Sequence, residues 1–159
     1  MSSAALPRTF LIHFSGPDKP GLTANLTAVI ARFPVGILDI GQAVVHETLS
    51  LGIFLEFPDE SVYAALRAAL HDRAHGLGLL ARFSPVQPET IRPHQQHFII
   101  AILGRSITAN HLARVSAIIA AHAMNIDRID RLSAELSPRV AGQNACVELG
   151  VSGDPACRS

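Results

Sequence analysis

Hydrophobic positions along this chain recur with two periods, near two residues and near 3.6, and each switch of period marks a new element. Phe10, Ile12 and Phe14 alternate with Leu11 and His13, which predicts a short strand with both faces largely apolar. Beyond Gly16-Pro17-Asp18-Lys19-Pro20-Gly21, the residues Leu22, Leu26, Val29, Ile30 and Phe33 share one helical stripe, which Pro34 and Gly36 end. Residues 37–46 read as extended. From Thr48 to Phe57 the alternation is sharp, with Leu49, Leu51, Ile53, Leu55 and Phe57 on one face and Ser50, Gly52, Phe54 and Glu56 on the other. These two runs meet around Glu47 and predict an antiparallel hairpin. Pro58-Asp59-Glu60 opens a second helix with Val62, Ala65, Leu66, Ala69 and Leu70 inward, closed by Gly76 or Gly78. Leu79 to Val86 supplies the last strand. The order is βαββαβ, an α+β, ferredoxin-like pattern.

The pattern then starts again. Pro85, Pro88 and Pro93 stand among polar residues, so residues 87–96 are expected to link a first domain (1–86) to a second (97–159). Phe98 and Gly104 lie 88 positions after Phe10 and Gly16. Ala117-Ile118-Ile119-Ala120 lies 89 positions after Ala28-Val29-Ile30-Ala31, and Ile126-Asp127-Arg128-Ile129 keeps that offset from Ile37-Leu38-Asp39-Ile40. An internal duplication with one inserted residue accounts for both offsets. In the second copy the turn is Gly104-Arg105-Ser106-Ile107-Thr108, without either proline or the second glycine. Val147, Leu149 and Val151 make its third strand, and Gly153-Asp154-Pro155 stands where its second helix would open. The second copy is therefore expected to stop after three strands, with a sheet edge and a core face exposed unless another copy covers them.

Composition narrows the function classes. Acidic and basic residues balance at 13 each, so no electrostatic footprint for nucleic acid or an anionic membrane is present. The chain is 48% hydrophobic and 16% charged, with a mean hydropathy of +0.30, which predicts surface buried against a partner or a second copy. No apolar run approaches the roughly 20 residues of a membrane span, and Met1 to Arg8 lacks the features of a signal peptide. With only Cys146 and Cys157, no disulfide framework is expected, and the cytoplasm is the expected compartment.

The candidate chemistry sits on the turn from Gly16 to Thr23. Proline presets φ, glycine lets backbone approach closely, and the first amides of a helix have no intrahelical partner. Such a turn can hold a carboxylate on its free N–H groups while Asp18 faces an ammonium, which together describe a free amino acid. The same spacing also fits a strand-to-helix turn with no ligand. His71 and His75, four apart on the second helix, could share a metal, but no third ligand is identifiable and Asp72 and Arg73 suggest a solvated face. Asp127, Arg128, Asp130 and Arg131 read as surface ion pairs, and Cys146 as a packed small hydrophobe. Neither a Ser-His-Asp arrangement nor a phosphate-binding Gly-x-x-x-x-Gly-Lys motif is present.

Two βαββαβ units, the Gly-Pro-Asp-Lys-Pro-Gly-Leu-Thr turn and the second strand Ile37-Leu38-Asp39-Ile40-Gly41-Gln42-Ala43 resemble tandem ACT domains. His111-Leu112-Ala113-Arg114-Val115-Ser116 and Asn125 to Ser133 extend the resemblance to the amino-terminal regulatory pair of bacterial phosphoserine phosphatases of the SerB type, over about residues 8–153. In that family the pair precedes a haloacid-dehalogenase-type catalytic domain with an Asp-x-Asp nucleophile motif and Mg²⁺. No two aspartates of this chain are separated by a single residue, so no catalytic residue and no cofactor is expected here, and Mg²⁺ belongs to the catalytic domain this chain lacks. The resemblance implies a regulatory and dimerisation module of serine biosynthesis that binds L-serine or glycine where ACT units meet, often across a homodimer. It places Asp18, Lys19, Pro20, Gly21 and Leu22 around the ligand, Asp39 and Ile40 alongside, and Gly104 and Arg105 at the corresponding second turn. A stand-alone tandem-ACT interaction protein sensing glycine or serine is the alternative.

Overall fold

The computed structural model describes residues 8–86, 96–132 and 145–153. Apart from Gln96, the expected linker lies outside these residues, as do Asp154-Pro155 and Cys157. The chain divides into two compact units, Met1–Ile91 and Arg92–Ser159.

Unit 1 runs β1 (Arg8–Pro17), α1 (Leu22–Ile30), β2 (Gly36–Val45), β3 (Thr48–Phe57), α2 (Glu60–Gly76) and β4 (Leu80–Val86). Its sheet has the order β2-β3-β1-β4, with every neighbouring pair antiparallel. The sharp alternation of β3 sends Leu49, Leu51, Ile53, Leu55 and Phe57 into the core, where Ile12 and Phe14 of β1 join them. The α1 stripe of Leu22, Leu26, Val29 and Ile30 closes over that face, with Tyr63, Leu66, Leu70 and Ala74 of α2 beside it. Phe10 stacks on Tyr63 with ring centroids 3.9 Å apart. Pro85 lies in β4, within the strand expected from Leu79 to Val86; β4 is an outer strand, where a missing N–H is tolerated.

Turn chemistry sets the element ends. His46 and Glu47, both with positive φ (45° and 61°), form the two-residue tip between β2 and β3. The end of α2 divides the labour between its glycines. Gly76 is the last helical residue, and Gly78 takes the left-handed conformation (φ 75°). The Leu79 amide then donates to the Ala74 carbonyl at 2.8 Å and the Gly78 amide to the His75 carbonyl at 3.0 Å, satisfying the last carbonyls.

Unit 2 runs β5 (Gln96–Gly104), α3 (Ala109–Ala121), β6 (Asn125–Arg131) and β7 (Ala145–Gly153), with sheet order β5-β7-β6. It repeats the β1-α1-β2-β3 part of unit 1: β5, α3, β6 and β7 stand where β1, α1, β2 and β3 do. Among the described residues nothing matches α2 or β4. Its core is correspondingly small, with Ile119, Leu149 and Val151 buried and Ile100, Ile102, Val115, Met124 and Ile126 half-buried around them. Among the described residues, no helix is long and apolar enough to cross a membrane.

Candidate ligand-binding turn

Between β1 and α1 the chain makes one tight bend, and its shape follows from three anchors. The Asp18 amide donates to the Glu47 carbonyl of the hairpin tip at 2.7 Å. Gly21, at φ 87°, occupies the N-cap position in the left-handed conformation that a side chain disfavours. Asn25, one helical turn on, holds the Gly21 carbonyl with both its backbone N–H (2.9 Å) and its Nδ2 (2.8 Å). The Asn25 Oδ1 in turn accepts a hydrogen bond from Arg73 Nη2 of α2. Behind the bend, Thr23 donates to Gln42 Oε1 of β2 at 2.6 Å.

These anchors leave an open hollow of about 410 Å³ lined by Asp18, Lys19, Pro20, Gly21, Leu22, Thr23, Ala24 and Gln42. No side chain caps α1, and no acidic residue lies in its first turn. The other two helices differ. Asp59 caps α2 by accepting from the Val62 amide at 2.9 Å, and Thr108 with His111 forms a reciprocal capping box on α3. Hydrogen bonds from Ser61 and from the Val62 amide hold the Asp59 carboxyl below its ordinary pKa. The hollow beside α1 thus joins an uncapped helix start to one carboxylate and to Lys19, the chain's only lysine.

The expected site residues separate into three places. Asp18, Lys19, Pro20, Gly21 and Leu22 converge on the hollow. Asp39 and Ile40 do not line it: the Asp39 carboxylate accepts from the Ile40 amide at 2.8 Å, next to a bulge in β2. Gly104 and Arg105 line a different, more apolar hollow of about 510 Å³ in unit 2, with Arg114 and His111. Sequence reasoning missed Asn25 and Gln42. Asn25 had a signal, since it lies four residues after Gly21 at helical spacing; Gln42 had none, because its bond to Thr23 exists only once β2 is in place.

The remaining candidates are surface features. His71 lies 3.8 Å from the neighbouring Asp72, and among the described residues no three His, Cys, Asp or Glu side chains gather where a metal could be held. Arg128 pairs with Asp130 (2.7 Å) and Glu148 (2.9 Å). Cys146 is half-buried, pairing with Leu103 on the sheet face opposite to the buried Val147.

Family models for the ACT domain match residues 8–84 and 96–152. The chain belongs to the ACT domain family. It is 34% identical over 148 residues to the phosphoserine phosphatase SerB2 of Mycobacterium tuberculosis, covering 92% of this chain and 34% of that protein. It is 31% identical over 125 residues to a phosphoserine phosphatase of Streptomyces coelicolor, covering 79% of this chain and 30% of that one. The chain thus spans about a third of the length of these two curated relatives. Among solved structures, a chain named for the glycine cleavage system transcriptional repressor superposes with a TM-score of 0.73. The match covers 97% of this chain and 85% of that one at 12% identity, a likeness of fold. Both ACT units carry the ferredoxin-like arrangement, with three strands among the described residues of the second.

Proposed function

We propose that the chain is an amino-acid-responsive regulatory pair of ACT domains, serving a phosphoserine phosphatase of serine biosynthesis in the cytoplasm. Its ligand is a small amino acid, L-serine before glycine, bound on the turn of unit 1. The observation that carries this reading is the uncapped start of α1 opening into a hollow that also holds Asp18. The ligand carboxylate lies against the first amides of α1, where the helix dipole favours negative charge, and its ammonium lies against Asp18. A small side chain suits a hollow rimmed by Pro20, Gly21 and Ala24.

The homodimer belongs to the same reading. All ten residues of β2 are exposed, including Ile37, Ile40, Val44 and Val45, and this outer strand runs past the hollow at Gln42. A second copy covering β2 would bury that apolar surface and enclose the ligand, so that occupancy and dimerisation reinforce each other.

Calorimetric titration with L-serine, glycine and L-phosphoserine tests the reading, with light scattering to follow association. L-serine is expected to bind and to raise the thermal midpoint, and Gly21→Ala to remove both effects. A folded chain that answers to none of these ligands would refute amino-acid sensing. Binding unaltered by Gly21→Ala and Asp18→Ala would move the site elsewhere.

A further inference from the structure

The hydrogen bond between Thr23 and Gln42 fixes what each side chain can still offer the hollow of unit 1. Thr23 Oγ1 gives its proton to Gln42 Oε1 at 2.6 Å. The hydroxyl oxygen is then left to accept, and with Oε1 engaged the Gln42 Nε2 keeps both its protons to donate. Both residues line the hollow together with Asp18 and Gly21. One acceptor is thus held beside one donor, by residues 19 positions apart that belong to α1 and β2.

Gln42 is out of keeping with its row. It is paired with the buried Leu51 of β3, while Ile40 and Val44 on either side are paired with the buried Ile53 and Leu49. The positions that match the pair in unit 2 carry different chemistry. At the offset of 89, Leu112 stands for Thr23 and Arg131 for Gln42. The registers agree, since Arg131 is paired with the buried Val147 of β7 as Gln42 is with Leu51. A leucine side chain makes no hydrogen bond, and a guanidinium only donates. The joined acceptor and donor are therefore particular to the hollow of unit 1.

We propose, resting on the amino-acid reading of this hollow, that the Thr23–Gln42 pair reads a hydroxyl on the ligand's side chain and so selects L-serine over L-alanine and glycine. The first amides of α1 and Asp18 take the carboxylate and the ammonium, which leaves Thr23 and Gln42 to meet the side chain. The ligand hydroxyl donates to Thr23 Oγ1 and accepts from Gln42 Nε2. A hydroxyl gives and takes at a single atom, which suits an acceptor and a donor held side by side. A methyl group or a hydrogen in its place leaves both positions to water. Because the hollow is open, water replaces the missing hydroxyl at little cost. The preference is then about tenfold, far below that of a pocket that excludes water.

Calorimetric titrations of L-serine, L-alanine and glycine into the native chain, Thr23→Val and Gln42→Leu test the contact. The native chain is expected to bind L-serine about tenfold more tightly than L-alanine. Each variant should bring the two affinities together by weakening L-serine, while L-alanine still binds. Equal affinity of the native chain for L-serine and L-alanine would overturn the hydroxyl contact and leave amino-acid binding standing. A preference for L-serine that survives in either variant would also overturn it. So would an equal loss of all three ligands in the variants, which is the mark of a pair that only shapes the bend. Binding of none of the three by the native chain would refute the amino-acid reading and the hydroxyl contact with it.

Discussion

At the scale of single residues, the bend after β1 depends on a few positions whose roles come from conformation. Gly21 is there for its positive φ, Asn25 to hold the carbonyl of Gly21, and Asp18 donates its amide to Glu47 while keeping its carboxylate on the hollow. Asp59 shows the contrasting, closed arrangement, and its depressed pKa makes the cap dependent on pH. A carboxyl whose folded pKa is lowered contributes stability that is fully present above its unfolded value, near 3.8, and is lost as pH falls through the folded value. Thermal midpoints measured from pH 6 down to pH 2 should therefore fall further for the native chain than for Asp59→Asn. The sequence made Asp18, Lys19 and Gly21 legible because Pro and Gly announce a bend in any context. Gln42 was illegible because its importance is a matter of which strand runs past the bend.

At the scale of elements, periodicity was enough to place β3 nearly to the residue and to find β1, α1 and α2, since each turns one apolar face to a shared core; β1 extends beyond the expected Phe10–Phe14 to Arg8 and Pro17, and α1 ends at Ile30, short of Phe33. β2 shows the limit of that reasoning. Its apolar residues predict a strand but do not say whether the strand is central or outermost, and here it is outermost and exposed throughout. The resemblance sets Asp39 and Ile40 alongside the ligand; in the structure the register with β3, with its bulge between Ile37 and Asp39, brings Gln42 of the same strand to the hollow. The end of β1 fits tightly against the α2–β4 connection. A Cβ on Gly16 would stand 2.9 Å from Leu79 Cδ2 and 3.0 Å from the Gly78 carbonyl. Gly16→Ala should destabilise unit 1 by about 1–3 kcal/mol in urea unfolding, since backbone there must shift to relieve the overlap. The change lies outside the first turn of α1, so ligand affinity should fall far less than stability.

At the scale of the whole molecule, two copies of one plan have unequal means of standing. Among the described residues, unit 1 closes a sheet of four strands under two helices, and unit 2 packs one helix on three strands around Ile119, Leu149 and Val151. A core that small secludes few amides, and opening free energies scale with what is buried. Native-state hydrogen exchange should therefore show the β5, β6 and β7 amides exchanging much faster than those of β1 and β3; equal protection would contradict this account. The duplication itself was legible from the two offsets.

The hydrogen bond from the Asp18 amide to the Glu47 carbonyl has a consequence in time. The β2–β3 ribbon is the most local pairing in unit 1, joined by a tip of two residues, and ribbons of this kind close in about 1–10 μs. β1 can pair with β3 only by closing the longer loop that carries α1, so its arrival comes later and more slowly. Glu47 is then already in place when Asp18 reaches it, and the bend is shaped against a template formed earlier in folding. The bend, where the ligand is proposed to bind, would be among the last parts of unit 1 to take its final form, and among the first to lose it when the unit loosens.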